Sequence, residues 1–406
     1  MLRCGLLGRK LGHSYSPAIH AMLRGCRYEL FEREPEELEP FLKSGDFDGL
    51  NVTIPYKKAV VPFCAGLSAT ARLLGSVNTI VRRPDGSLFG DNTDYYGFES
   101  TMRKSGVPVS GKKALVLGSG GASVTVCAVL RALGAAPVVI SRSGEDNYKN
   151  LSRHGDASLI VNTTPLGMYP DNGSMALDPG LFPRCEAVFD VVYNPAKTAL
   201  MLRAESLGIP AFGGLHMLVA QARRSSELFT GRTLPDSAEE AAERALIRDM
   251  RNIVLIGMPG SGKTTVARLV GELTGKTVAD SDSLVEKAAG MTIPEIFAQK
   301  GEAAFRELET AALRELGRSS GTVIATGGGC VTREDNRDLL RQNGTVIWLR
   351  RSIGALPTEG RPISQSRDLG ELLREREPLY RHFADCVIDN DGAPEETAAR
   401  ILEVFS

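Results

Sequence analysis

Neither sign of charge prevails in these 406 residues: 48 lysines and arginines face 49 aspartates and glutamates, a formal net charge of -1. Without a basic excess the chain lacks the dense field that follows a phosphate backbone, so no nucleic-acid partner is expected. Paired cysteines are missing as well. The seven (Cys4, Cys26, Cys64, Cys127, Cys185, Cys330 and Cys386) are odd in number and scattered, with no CxxC spacing, which argues against a disulfide framework and for a reduced, cytoplasmic protein. His13, His20, His154, His216 and His382 show no metal-ligand spacing and read as structural or surface residues. Long apolar runs are equally lacking. Ala114–Leu130, as long as any stretch free of charge, is too short for a spanning helix and is broken by glycines and hydroxyls. At the N-terminus Arg3, Arg9 and Lys10 interrupt any apolar run before a signal core forms, so neither export nor a membrane partner is expected. No internal repeat or low-complexity tract occurs.

What is present is the composition of a globular protein, 42% hydrophobic and 24% charged. At about 100–200 residues per domain the length calls for two or three units, each able to bury a core. The 43 glycines point to tight turns and ligand loops. Short runs rich in Val, Ile and Leu alternate with longer helical patterns, the signature of an α/β protein with parallel sheets covered by helices. Two strand-glycine-helix units stand out, Ala114–Gly118 followed by SGGAS and Ile253–Gly257 followed by MPGSGKTT. Between them an Ala/Glu-rich helix from about Ala238 to Ile247, capped by Asp236 or Ser237, precedes Arg248–Asn252. A linker of about four or five residues is therefore expected.

Gly118-Ser119-Gly120-Gly121-Ala122-Ser123 follows a strand and precedes an apolar helix, the context of a dinucleotide fingerprint with Ser in the third small position. Small residues let amides at the helix start approach a pyrophosphate, and the helix dipole favours its charge. The next strand, Pro137–Ile140, ends in Ser141-Arg142-Ser143, where an acid would suit the ribose hydroxyls of NAD. A guanidinium suits a 2'-phosphate, so NADP is favoured. The plain alternative is that Arg142 is a solvated surface residue.

Ahead of this unit stand His13-Ser14-Tyr15-Ser16-Pro17, Asn51-Val52-Thr53-Ile54-Pro55-Tyr56-Lys57, Gly75-Ser76-Val77-Asn78-Thr79 and Gly90-Asp91-Asn92-Thr93-Asp94. After its first strands come Asn162–Met168 and Gly213–Gln221. Taken in order, these motifs resemble shikimate dehydrogenase over about Leu2 to Leu246. The chemistry agrees: reduction of a ring ketone by hydride leaves an alkoxide that needs a proton donor beside it. Lys57 is the natural donor, with Asp94 to orient it and hold a substrate hydroxyl. The resemblance makes Lys57 and Asp94 the catalytic pair. It gives Ser14, Ser16, Asn51, Thr53, Asn78 and Gln221 to the substrate's carboxylate and hydroxyls, Tyr193 to the nicotinamide and substrate, and Val191, Gly214 and Met217 to the cofactor. Each also has a structural explanation: Ser14, Ser16 and Asp94 as helix caps, Asn78 as a turn residue, Lys57 as a solvated charge.

Gly257-Met258-Pro259-Gly260-Ser261-Gly262-Lys263-Thr264 satisfies GxxxxGK(S/T) between a strand and a helix beginning at Thr265. Amides of Gly260, Ser261, Gly262 and Thr265 would surround phosphates, Lys263 would neutralise β/γ charge and the Thr264 hydroxyl would reach magnesium. Asp280-Ser281-Asp282, Gly301–Glu309, Thr326–Gly329, Gly360-Arg361-Pro362 and Arg376–Tyr380 resemble shikimate kinase over Met250 to Ser406. If Asp280–Asp282 is extended, both carboxylates point the same way. The resemblance assigns Asp280 to magnesium through water, Asp282 to a substrate hydroxyl as base, Arg306 and Arg376 to the substrate carboxylate, Gly328 to a backbone contact and Arg361 to the phosphates from a lid. The alternatives are that Asp280 and Asp282 cap a helix, that Gly327–Gly329 is only a turn, and that Arg376 pairs with a surface acid. Two departures stand out: Arg350–Gly360 is short and lacks the arginine that commonly stacks on adenine, and acids fill Asp389–Gly392 where a second adenine contact is usual.

The reading is a bifunctional enzyme that reduces 3-dehydroshikimate to shikimate with NADP(H) and then phosphorylates its 3-hydroxyl with ATP and Mg2+. A substrate lobe over 1–97 with a return at about 214–247, a Rossmann lobe over 98–213 and a P-loop kinase domain over 248–406 follow. A quinate/shikimate dehydrogenase in front of the kinase, and a ligand sensor that has lost turnover, are the rival readings. The oligomeric state is not legible.

Overall fold

The computed structural model describes residues 1–12, 14–355 and 368–405. His13 and Arg361 lie outside the described residues. The described chain is α/β in class, with three sheets and two compact units: Met1–Met168 with Gly173–Tyr193 and Leu200–Leu246, and Tyr169–Asn172 with Asn194–Ala199 and the chain from Ile247 onward.

In the first unit, β1 (Arg3–Gly8), β2 (Arg27–Glu32), β3 (Gly49–Val52), β4 (Gly66–Leu67), β5 (Thr79–Arg82) and β6 (Leu88–Asp91) form a six-stranded sheet in the order β2-β1-β3-β5-β6-β4. This sheet is mixed rather than wholly parallel, because β3, β5 and β6 pair antiparallel. The physical reason lies in the connection: β5 and β6 are joined by a tight turn at Arg83–Gly86, far too short for the crossover that parallel neighbours require. Helices α1 (Ser16–Leu23), α2 (Leu38–Ser44) and α3 (Ala69–Leu74) connect these strands, and α4 (Thr93–Ser105) leads out of β6.

The same unit holds a second sheet of β7 (Lys113–Leu117), β8 (Ala136–Ile140), β9 (Leu159–Asn162), β10 (Ala187–Asp190) and β11 (Ala211–Phe212), ordered β8-β7-β9-β10-β11 and parallel throughout. Its central strands carry the apolar runs Ala114–Leu117 and Leu159–Val161, as burial on both faces demands. From β7 the chain passes through α5 (Gly121–Ala132) to β8 on one side, then returns to β9 on the other. A crevice therefore opens at the carboxyl end of β7, the place such sheets bind ligands. After α6 (Ala199–Ser206), helix α7 (Leu215–Thr230) packs on α4 at close range, since a Cβ on Gly97 would sit 2.6 Å from the Met217 carbonyl oxygen.

Helix α8 (Asp236–Met250) carries the chain across the unit boundary, and β12 (Asn252–Ile256) follows after Arg251 alone. The expected four- or five-residue linker is thus taken up by the helix as far as Met250. Its last turn contains no breaker, Met250 is buried, and Lys276 Nζ caps the carbonyls of Arg248 and Asp249 at 2.8 and 2.9 Å. The second unit continues with α9 (Lys263–Thr274), β13 (Thr277–Asp280), α10 (Ser281–Ala289), α11 (Ile293–Arg318), β14 (Thr322–Ala325), α12 (Asp335–Arg341), β15 (Gly344–Arg350), α13 (Leu369–Phe383), β16 (Cys386–Asp389) and α14 (Pro394–Phe405). The sheet is parallel in the order β13-β14-β12-β15-β16. Alternate residues of β12 and β15 feed two cores: Val254, Ile256, Val346 and Trp348 on one face, Ile253, Leu255, Ile347 and Leu349 on the other.

Candidate active sites

Cavities lie at the carboxyl ends of strands in each unit. In the first, about 260 Å³ is enclosed by Ser14, Ser16, Asn51, Thr53, Lys57, Asn78, Asp94, Tyr193 and Gln221 together with Leu6, Val52, Ala122, Val191, Gly214, Met217 and Leu218. Every substrate-side residue singled out in the sequence for this half is there. Lys57 and Asp94 are the only formally charged residues among the described lining, and Lys57 Nζ donates to Asp94 Oδ2 at 2.5 Å. Asp94 enters from the first turn of α4, where a negative charge is favourable. Lys57, a third exposed, reaches it from the loop after β3.

The neutral groups are held by a buried polar lattice. Asn78 Oδ1 accepts from the Thr93 backbone at 2.6 Å and from the Thr79 hydroxyl at 3.0 Å. Asn51 Oδ1 accepts from Tyr28 at 2.7 Å, and its amide donates to Thr79 at 3.2 Å. Gln221 donates to the Leu218 carbonyl at 2.9 Å and accepts from Thr93. The structural explanation for Ser14 is partly met at the same time, since Ser14 Oγ accepts from the Ser16 amide at 3.2 Å. Tyr193 stands edge-on to Tyr15 at 5.8 Å, and burial pushes its phenol upward.

Of the dinucleotide loop only Ala122 lines this cavity; Ser119, Gly120 and Gly121 are exposed at the start of α5. Gly118 donates to the Ile140 carbonyl at 2.8 Å, and Leu117 pairs with Ile140. Ser141 and the exposed Arg142 therefore follow immediately beside the loop, across one strand pair. Gly214 admits no side chain: a Cβ would come 2.1 Å from the Val191 carbonyl oxygen, which is how α7 begins against Val191. Below it lies a pair missed in the sequence. Buried Asp190 accepts from Asn162 at 3.0 Å and from the Val192 amide at 3.0 Å, fixing the turn that delivers Val191 and Tyr193. Its signal was a lone acid ending an apolar strand.

The second cavity, about 520 Å³, is lined by Pro259, Gly260, Gly262, Lys263, Thr264, Thr265, Asp280, Asp282, Glu286, Arg306, Glu309, Thr326–Gly329, Arg351 and Arg376, with apolar residues from α11. Gly260 and Gly262 take positive φ of 85° and 88°, conformations an L side chain rarely adopts, and turn the loop into α9. Lys263 Nζ donates to the carbonyls of Gly257 and Met258, each at 2.9 Å. Ser261 does not line the cavity: its side chain is buried within the loop, and its carbonyl accepts from Asn390 at 2.6 Å.

The extended reading of Asp280–Asp282 is overturned. Asp280 ends β13 and caps α10, accepting from the Asp282 and Ser283 amides, so Asp282 sits in the first helical turn. A carboxylate in capping position satisfies free helix amides better than an extended chain would. The turn nonetheless keeps both acids on the cavity. Thr264 donates to the second Asp280 oxygen at 2.9 Å, so the two residues assigned to magnesium are adjacent.

Asp282 Oδ1 is buried without a hydrogen-bond partner, and its carboxyl is pushed up to about 6 by burial and by the neighbouring charges of Asp280 and Glu309. Glu309, fully buried on α11 beyond a kink at Gly301, accepts from Arg306 at 2.8 Å. Its other oxygen is unpaired, and burial raises its carboxyl. Glu309 was passed over in the sequence, although it stands one helical turn from Arg306. The Gly327–Gly329 run is more than a turn. A Cβ on Gly327 would strike Asp282 and Glu309, one on Gly328 would strike Pro259, and one on Gly329 would strike the Arg306 guanidinium. Arg376 and Tyr380 both donate to the Gly328 carbonyl, at 3.1 and 2.5 Å. Arg376 is thus buried in the site rather than paired on the surface.

A glycine loop at a sheet switch point beside a lysine–carboxylate pair, and a phosphate loop facing buried acids and arginines, define two nucleotide-dependent α/β sites. The shikimate kinase family model matches residues 259–406, and that of the shikimate dehydrogenase substrate binding domain matches residues 6–80. A shikimate dehydrogenase (NADP(+)) from Oleidesulfovibrio alaskensis is 38% identical over 269 residues, 60% of this chain and 94% of its own. Among solved structures, a chorismate mutase/shikimate 5-dehydrogenase fusion protein from Clostridium acetobutylicum superposes with a TM-score of 0.57 at 34% identity, covering 60% of this chain and 96% of that one. The Thermus thermophilus shikimate 5-dehydrogenase in complex with NADP(H) and shikimate gives 0.55 at 34%, covering 60% and 99%. The chain belongs to the shikimate dehydrogenase family and carries a shikimate kinase domain behind it, a bifunctional enzyme.

Proposed function

We propose that the first unit reduces 3-dehydroshikimate to shikimate with NADPH, and that the second transfers the γ-phosphoryl group of ATP to the 3-hydroxyl of shikimate. Residues 1–97 and 214–247 serve as substrate lobe, 98–213 as NADP lobe and 248–406 as kinase. The observation that carries the reading is the Lys57–Asp94 contact in a cavity whose other described polar side chains are neutral amides and hydroxyls. As hydride reaches the carbonyl carbon, Lys57 gives its proton to the oxygen and recovers one from water, to which it is partly open. Asp94 holds the Lys57 ammonium in place for that transfer. Asn78, Gln221, Ser14, Ser16 and Thr53 hold the hydroxyls and carboxylate, and Arg142 takes the 2'-phosphate.

In the second unit, amides of Gly260–Thr265 cradle the phosphates and Lys263 neutralises them. The Thr264 hydroxyl and the Asp280 carboxylate fit a magnesium ion and would hold it; such an ion would supply charge stabilisation of the phosphates. Asp282 accepts the 3-hydroxyl proton, and Arg306 and Arg376 grip the carboxylate. The test is one reaction mixture of protein, 3-dehydroshikimate, NADPH and MgATP. NADPH loss should match shikimate 3-phosphate formed, and quinate should replace shikimate in neither step. Absence of either product from folded protein removes that half of the proposal.

A further inference from the structure

We infer that Arg351 is a nucleotide-binding residue of the second site; the inference rests on the kinase reading and adds a contact to it. Arg351 follows directly on β15 and lines the cavity together with the phosphate loop. Nη1 lies 3.5 Å from the Gly260 carbonyl oxygen and 3.8 Å from where a Cβ on Gly262 would be. Asp282 and Arg306, which face the acceptor, belong to α10 and α11 beside β13 and β14. Arg351 stands on the other flank of β12, because β15 and β14 pair with opposite edges of that strand. It thus serves the nucleotide end.

The backbone that carries it is clamped on both sides. Arg350 forms two bonds to Asp389, at 2.5 and 2.9 Å, and Ser352 gives its amide and hydroxyl to Asp391, both at 2.8 Å. Between those acids Asn390 donates to the Ser261 carbonyl and accepts from Thr397 at 2.6 Å. The acids at Asp389 and Asp391 are therefore engaged in holding residues 350–352 against the phosphate loop. Meanwhile Arg351 Nε is buried without a hydrogen-bond partner. A preorganised, incompletely satisfied guanidinium at a phosphate loop suits a nucleotide, through its anionic oxygens and through its planar face.

The test uses the full-length protein, with ADP titrated calorimetrically and phosphorylation followed at varied ATP and varied shikimate. Arg351→Ala should weaken ADP binding about 10-fold and raise KM for ATP similarly, with KM for shikimate within about twofold. Arg351→Met, which keeps the packed stem, should do the same and covers the case in which the alanine variant misfolds. If both folded variants bind ADP within about twofold of the parent, or lose shikimate affinity instead, the inference is overturned. ADP binding does not require shikimate as acceptor. A parent protein that binds ADP but leaves shikimate unphosphorylated therefore refutes the kinase reading while the Arg351 comparison is still read from ADP.

Discussion

Around Lys57 both formal charges of the described lining are joined in one contact, whereas around Asp282 two buried carboxylate oxygens, Asp282 Oδ1 and Glu309 Oε1, have no hydrogen-bond partner. The first cavity surrounds a single pair with neutral donors and acceptors. The second places Lys263, Arg306, Arg351 and Arg376 among Asp280, Asp282, Glu286 and Glu309. The difference follows from the chemistry proposed for each. A ketone that gains hydride and proton ends without added charge, so one donor and a set of amides suffice. Phosphoryl transfer brings a polyanion and a metal into the site, so the protein holds its charges in readiness for groups that complete them.

The sharpest way to break this contrast is to remove one charge from each side. Lys57→Met should lower ketone reduction roughly 10³-fold, within the range expected for a lost proton donor, while shikimate phosphorylation stays within about twofold. Lys263→Met should show the reverse, and loss of both activities in either folded variant would unite what is here separated. A smaller loss, on the order of 10²-fold, is expected in kcat for phosphorylation by Asp282→Asn.

Because burial holds the Asp282 carboxyl near 6, phosphorylation should fall as pH drops below about 6, whereas an ordinary aspartate would keep its charge to about 4. The stability effect has the opposite sign. Folding penalises the charged form, so the carboxylate is a cost above pH 6 that is progressively relieved as pH falls towards 4. Asp282→Asn should therefore melt a few degrees higher than the parent at neutral pH in a thermal scan. The asparagine variant melting lower would contradict the strained-acid description.

Arg142→Ala sharpens the first site's side of the comparison. KM for NADPH should rise about 10- to 100-fold while KM for NADH is unchanged, since only the former has a 2'-phosphate to lose. The smallest effect is purely structural. Gly97→Ala forces a methyl towards the Met217 carbonyl between α4 and α7, which carry Asp94 and Gln221. It should cost about 1–3 kcal/mol in the first unit, read by urea melting, and leave shikimate phosphorylation intact.

Much of both sites was legible because their residues fall in short runs with a local cause. A glycine-rich turn between strand and helix announces a phosphate cradle wherever it occurs, and Lys57 and Asp94 lie in motifs that keep their order. What escaped was long-range or depended on a local competition. Of the extended run and the helix cap that the sequence allows for Asp280–Asp282, the cap prevails: the Asp280 carboxylate accepts two helix amides and the chain turns into α10 at Ser281. Asp190 acquires meaning only when β9 and β10 pair, bringing Asn162 opposite it. Asp389 and Asp391 read as missing ligands, yet in three dimensions they clamp the segment that carries Arg351.

The chain's letters settled the class, the two glycine loops and the identity of the groups offered to each cavity, since turn stereochemistry and strand periodicity are properties of neighbouring residues. Strand order settled the rest. Residues such as Arg351 and Gly260, or Glu309 and Gly327, meet only because of where parallel strands insert in the sheet, and the field each carboxylate feels depends on how completely that packing removes water.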